Sequence, residues 1–338
     1  MSKYKKILIV GHFGEDPKIY TYATSFYTTL QKLGLGVHKF EYRKKYFLGF
    51  SGFLNTFLMN WALKNEAKIV GADCVLVIKG ENILPKTLLW LQEKLHAKLF
   101  NFYPDNPFTL WNGNSTIHVL NSLPIYDRVL IWSKQLVLLL QASGCGKVGY
   151  FPFAVDEDLF AQNVLLDEDS IKKYVCDVCF VGTWDAEREQ WLTTLLKELP
   201  NLNLGLWGND WHKNLKTDSP LRQYLRGYAV YGQEMIKLFR SSKIVLNFIR
   251  KQNLDAHNMR TFEVPASNAF LLAQRTSEQA SDLFKETESI ACFGSVSELA
   301  GRIKFYLANE KERKKLTDNG YEIAKKYTLQ KQLKKLFV

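Results

Sequence analysis

The sequence predicts an α/β protein built from two doubly wound, Rossmann-like domains. Three observations carry that expectation. Its 338 residues exceed what one hydrophobic core usually organises. Short apolar runs alternate with helix-spaced stretches, a pattern that folds into parallel sheet with right-handed crossovers. The alternation stops near residue 160 and then restarts.

In the first half, residues 5–10 read as a strand that ends in Gly11-His12-Phe13-Gly14, and 19–33 have helical spacing that stops at Gly34. Further strands are expected at 37–42, 74–78, 97–102 and 128–132, with helices between most of them. Pro152 breaks a strand, and 161–173 is polar and charged, as a linker is. The second half then offers strands at 176–181, 202–207, 243–248, 269–272 and 289–293, and helices at 185–199 and 233–240. Helices at 295–309 and 310–336 close the chain. Ligands of such sheets bind in the loops after the strand C-termini.

Composition narrows the class. With 46% hydrophobic and 23% charged residues the chain is globular rather than disordered. No apolar run approaches the roughly 18 residues of a spanning helix, and MSKYKKILIV runs into a strand rather than a signal peptide, so a cytoplasmic location is expected. Cys176 and Cys179 form a CxxC, but residues three apart on a strand face opposite ways and no second pair completes a zinc site; they read as buried small hydrophobes. The net charge of +11 favours anionic partners, a nucleotide or a lipid surface. No motif for nucleic-acid binding accompanies it.

The most informative stretch is LDAHNMRTFEVPASNAF, residues 254–270. It reads as a polar loop opening onto a helix N-terminus, where free N–H groups and the dipole hold anions. Arg260 adds a fork-shaped donor suited to a diphosphate, and Glu263 is placed to accept hydrogen bonds from sugar hydroxyls. A solvated surface turn is the competing reading.

The run HNMRTFEVPASNAFLLAQ, followed by SELAGRIKFYLANEKERKKLTDNGYEIAKKYTL, resembles the C-terminal half of the CgeB-like (spore-maturation-protein-like) glycosyltransferases, a GT-B group. The resemblance implies two domains facing a central cleft: an acceptor-side domain at 1–158, a nucleotide-sugar domain at 159–309, and helices at 310–338 that pack back towards the first domain. It implies transfer of a sugar from a nucleoside diphosphate sugar, UDP foremost, to a hydroxyl-bearing acceptor on a glycan, lipid or protein, without metal or other cofactor. Asp255 and Glu263 match the two acidic residues of retaining relatives, with seven residues between them and Asp replacing the usual first Glu. Arg188 matches a basic residue that meets the donor diphosphate after the glycine corresponding to Gly182, whereas Thr183 departs from a second basic residue. Tyr228 stands where relatives read the base. Asn258, Arg260, Thr261 and Glu263 complete the implied donor contacts. An epimerase of the same build, or a silent sugar-nucleotide-binding envelope or spore-coat protein, would share these features.

The first domain offers Gly11 as a donor contact and His12, Asp16 and Asp105 as bases. Asp105, in FYPDNPF, is held between prolines just after a strand, which suits deprotonation of a hydroxyl; Asp105 and Asn106 could equally make the turn alone. Tyr103, Phe108 and Trp111 are candidates for stacking on a sugar. Arg43-Lys44-Lys45, then YFLGFSGFLNTFLMNWALK, gives basic residues before an apolar segment that either buries under the sheet, meets a bilayer or holds an acceptor tail.

Overall fold

A computed structural model of the chain describes residues 3–14, 21–44, 52–110, 114–160 and 164–338. They fall into two compact units: Met1–Pro152 with Lys251–Leu254 and Leu329–Val338, and Phe153–Arg250 with Asp255–Thr328.

The first unit holds strands β1 (Ile7–Gly11), β2 (Val37–Glu41), β3 (Cys74–Ile78), β4 (Lys98–Tyr103), β5 (Arg128–Ile131) and β6 (Val148–Tyr150) in one sheet, ordered β2-β1-β3-β4-β5-β6. Every pairing is parallel. β1 and β3 are buried along their whole length, the apolar run that a strand covered on both faces requires. Between the strands lie α1 (Tyr22–Lys32), α2 (Gly52–Val70), α3 (Pro85–Leu95), α4 (Ile117–Ser122) and α5 (Lys134–Ala142). The Thr21 hydroxyl caps α1 by accepting the Thr24 N–H at 3.2 Å. Gly11 is where α1 comes closest to β1: a Cβ there would sit 2.4 Å from Ala23 Cβ. Its missing side chain lets the helix lie on the strand.

The second unit starts with α6 (Glu157–Phe160) and α7 (Glu168–Tyr174). The expected linker at 161–173 thus ends in a helix. Asp167 caps it at Ser170 N–H, Glu168 and Asp169 open it, and Lys172 and Lys173 close it, the charge order a helix dipole favours. Then follow β7 (Cys176–Val181), α8 (Ala186–Glu198), β8 (Leu204–Trp207), α9 (Trp211–Asn214), β9 (Leu225–Gly227), α10 (Gly232–Ser241), β10 (Ser242–Asn247), α11 (Arg260–Ala266), β11 (Leu271–Gln274), β12 (Ala291–Phe293), α12 (Val296–Ala308) and α13 (Glu310–Ala324). The sheet runs β12-β11-β10-β7-β8-β9, again parallel. Its core joins Leu192 and Leu195 of α8 to Phe248, Phe293 and Ile303. All five cysteines are buried free thiols.

Among the C-terminal helices, α13 packs on α11 within the second unit. Only α14 (Leu329–Phe337) is counted with the first, where it packs on α1 and buries Leu333 and Phe337 completely. Each sheet therefore has one point where the strand order reverses: between β1 and β3 in the first, between β7 and β10 in the second. Open α/β sheets bind ligands outside the strand C-termini at that point.

Candidate functional site

At the reversal point of the second sheet, β7 ends in Gly182 and the chain turns into α8. Asp185 caps the helix by accepting Glu187 N–H at 3.0 Å. The turn is tightly held. Trp211 Nε1 donates to Gly182 O at 2.8 Å, and Gly208, at φ 153°, lies so close that a Cβ would fall 1.9 Å from that same oxygen. Arg188, on the first turn of α8, donates to Thr183 O at 2.9 Å and lies 5.3 Å over the Phe180 ring. Arg250 follows β10 and approaches Asp185 Oδ2 at 3.5 Å. Arg260 opens α11, donates weakly to Val181 O at 3.4 Å and pairs with Glu263.

These three guanidinium groups come from three elements, and two of them act on the third. Burial lowers the Arg188 pKa most, Arg250 and Arg260 lower it further, and Asp185 works the other way, leaving it at about 10. Arg188 Nε is buried without a hydrogen-bond acceptor, Arg250 Nε has only the Asp185 carboxylate at 3.5 Å, and the acceptor Asn258 Oδ1 is buried without a donor. A buried guanidinium donor left without an acceptor, beside two further cations, is a group whose unmet bond calls for an explanation.

The neighbouring loop differs from the sequence expectation. α11 has seven residues, and the N–H groups of Thr261, Phe262 and Glu263 are already used by Asn258 O and Met259 O. They are therefore not free for an anion, in contrast to the expectation of an open helix N-terminus. Thr261 is fully buried, and its hydroxyl donates to Gln279 Oε1 at 2.6 Å; it holds the loop rather than facing a ligand. Asn258 Nδ2 reaches Asn247 Oδ1 at 2.8 Å and Phe248 O at 3.2 Å. His257, completely buried, accepts Phe153 N–H at Nε2 (3.1 Å) and turns Nδ1 to Glu278 at 3.3 Å. Asp255 is exposed, and its Oδ1 accepts Ser277 N–H at 2.9 Å. The two acids of the matched pair thus have separate partners, Asp255 the Ser277 turn and Glu263 the Arg260 guanidinium. Tyr228, after β9, is 69% exposed with its ring 5.2 Å from that of His212.

The reversal point of the first sheet carries its own charge network. His12 Nδ1 lies 3.2 Å from Glu41 Oε2, which also accepts Phe13 N–H at 2.7 Å. Lys79, just past β3, has φ 65° and is followed by Gly80 at φ 85°. This left-handed pair, costly for a lysine, accompanies a Lys79 Nζ that lies 2.8 Å from Asp105 and 3.2 Å from Glu81. Glu81 also receives Arg43 at 2.7 Å and the Tyr42 hydroxyl. Burial works against its carboxylate, but the bond from Tyr42 and the two cations prevail and hold its pKa below the usual range. Asp105 is therefore ion-paired, while Asn106 makes the turn: its Oδ1 accepts Phe108 N–H at 3.0 Å and its Nδ2 donates to Gln252 O at 3.1 Å. Tyr103 is fully buried and donates to Asn114 O, so it has no face for a sugar. Asp16 and Trp111 lie outside the described residues.

Sequence reasoning missed Arg250 and the partners of Asp105. The available signal was position: Arg250 and Lys79 each follow a strand of the reversal point.

A family model described as "Glycosyl transferase-like" matches residues 188–337, somewhat under half of the chain. No curated protein matches the sequence. Solved structures do match in fold. Sucrose-phosphate synthase from Thermosynechococcus elongatus has a TM-score of 0.73 at 14% identity, covering 98% of this chain and 97% of that one. HepE of Anabaena, solved with UDP, has 0.63 at 13%, covering 98% of each chain. A DNA-modifying β-glucosyltransferase, studied with and without uridine diphosphoglucose, has 0.61 at 15%, covering 97% and 96%. Two parallel sheets flanked by helices, with helices closing the chain, give this protein the GT-B fold.

Proposed function

We propose that the protein is a glycosyltransferase that moves a sugar from a nucleoside diphosphate sugar, with UDP as the nucleotide, to a hydroxyl acceptor. The observation that carries this reading is the cluster of Arg188, Arg250 and Arg260 at the reversal point of the second sheet, with the buried Arg188 Nε lacking an acceptor and the Arg188 pKa depressed to about 10. A fold alone does not assign an activity. Here the fold and the local chemistry agree. As the bond from the sugar to the diphosphate breaks, negative charge grows on the leaving phosphate; three fixed guanidinium groups stabilise it without a metal. Glu263 accepts hydrogen bonds from donor hydroxyls, and the exposed Tyr228 with His212 offers a ring surface for the base. Asp105 and His12, at the edge of the first sheet, serve the acceptor hydroxyl. The resemblance of HNMRTFEVPASNAFLLAQ to the CgeB-like group supports membership there, and the Asp255 and Glu263 spacing supports retention of configuration. A cytoplasmic setting, where nucleotide sugars are made, suits this activity.

The test is a thermal-shift panel of UDP, GDP, CMP and dTDP sugars, followed by product analysis with and without acceptor. Stabilisation by UDP sugars and acceptor-dependent, chelator-insensitive transfer with the anomer kept are the expected results. Conversion of the sugar nucleotide without acceptor would mean an epimerase instead. Failure of every nucleotide to stabilise the protein would sink the donor site.

A further inference from the structure

Helix α2 has two apolar faces, and only one is used. Met59, Leu63, Ala67 and Val70 are buried against the first unit. On the other side Phe53, Phe57 and Trp61 follow at four-residue steps with 85%, 56% and 60% of their surface exposed. The segment Gly52–Leu63 carries no charged residue. Such a row is costly to leave in water. Cations flank it: Arg43, Lys44 and Lys45 precede the helix in sequence, and Lys64 and Lys68 follow Trp61, with Lys64 Nζ 5.7 Å over the Trp90 ring. From Arg43 to Lys94 there are eight Lys or Arg against four Asp or Glu. Of the expectations for this segment, burial under the sheet, contact with a bilayer or holding an acceptor tail, burial accounts for one face of α2 only; residues 45–51 lie outside the described residues.

We propose that the exposed face of α2 docks the first unit onto an anionic lipid bilayer, the aromatic side chains entering the headgroup boundary and the lysines meeting acidic headgroups. Charge selects this occupant. Lysines beside exposed aromatics complement an acidic lipid face, whereas a second copy brings charge of the same sign. Among the described residues no helix is long and apolar enough to cross a membrane, so α2 lies on the surface. This inference goes beyond the proposed transfer activity and does not depend on it.

Flotation of the full chain with phosphatidylcholine vesicles, with and without phosphatidylglycerol, tests it. The wild type should float with the anionic vesicles and release with salt. Phe57→Ser with Trp61→Ser should weaken partitioning by roughly tenfold or more, because two interfacial aromatics are lost. Lys64→Gln with Lys68→Gln should weaken it on anionic vesicles only. Both double variants change exposed or half-exposed side chains, so an unchanged melting temperature confirms that they fold. Absence of flotation on either lipid, equal binding to both, or a wild-type dimer that the aromatic double variant converts to monomer would overturn the proposal. UDP-induced stabilisation should be the same in all variants, which keeps this test separate from that of the donor site.

Discussion

Arg188→Met separates a functional arginine from a structural one. The lowering of the Arg188 pKa to about 10 corresponds to about 3 kcal/mol of unfavourable free energy in the charged form. Removing the charge recovers that amount. It also removes the hydrogen bond to Thr183 O, worth about 1.5–3 kcal/mol for a charged donor, and the contact over Phe180, about 0.5–2 kcal/mol. The terms nearly cancel, so the unliganded melting temperature should move by no more than about 4 °C. Binding is different. One or two charge-assisted bonds to the diphosphate would be lost, weakening UDP by about 10- to 100-fold. Scanning fluorimetry gives the first quantity and titration calorimetry the second. A fall of the unliganded midpoint by more than about 8 °C with unchanged UDP affinity would refute the reasoning and make Arg188 a packing residue.

Gly11→Ala should cost about 1–3 kcal/mol through the clash with Ala23 and leave UDP affinity unchanged; lost affinity with intact stability would instead put Gly11 against the ligand. Lys79→Met should raise the acceptor KM and spare the donor KM, because it strips Asp105 and Glu81 of a shared cation; equal effects on both would reject an acceptor role. Asp105→Asn should lower kcat by about 10²- to 10⁴-fold if the carboxylate takes the acceptor proton, and hardly at all if it only anchors Lys79. Burial lowers the His257 pKa against the opposing pull of Glu278. The unfolded chain thus takes up this proton first, and the contribution of His257 to stability is full above about pH 6.5 and declines as pH falls below it. His257→Gln should flatten that part of the pH–stability curve relative to wild type; an unchanged slope would show that His257 is not its source.

The strands and most helices were legible because their signals are local. Cys176–Val181 and Cys74–Ile78 each read as apolar runs between turns, and the structure keeps those bounds. The polar stretch around residues 161–173 misled because Asp167, Ser170 and the flanking charges are as common in a linker as in a capped helix. Tyr103 misled in another way. Its place after a strand suggested an exposed ring, but burial of the neighbouring β4 side chains and an acceptor at Asn114 draw it inward.

The candidate site was legible one residue at a time and not as an arrangement. Arg188 and Arg260 could be read because each stands beside a recognisable turn, whereas Arg250 is marked only by its position after a strand, and the sequence does not show that this strand lies at the reversal point. What unites the three is that β10 pairs with β7, a neighbour relation fixed by strand order and absent from any spacing in the chain. The same relation decides their chemistry. A lone surface arginine keeps its charge cheaply, but burial at the end of β7 makes the Arg188 charge costly, and Arg250 and Arg260 add to that cost. The part of that cost due to Arg250 depends on the sheet order, and a permuted chain that preserves β7 beside β10 should preserve it.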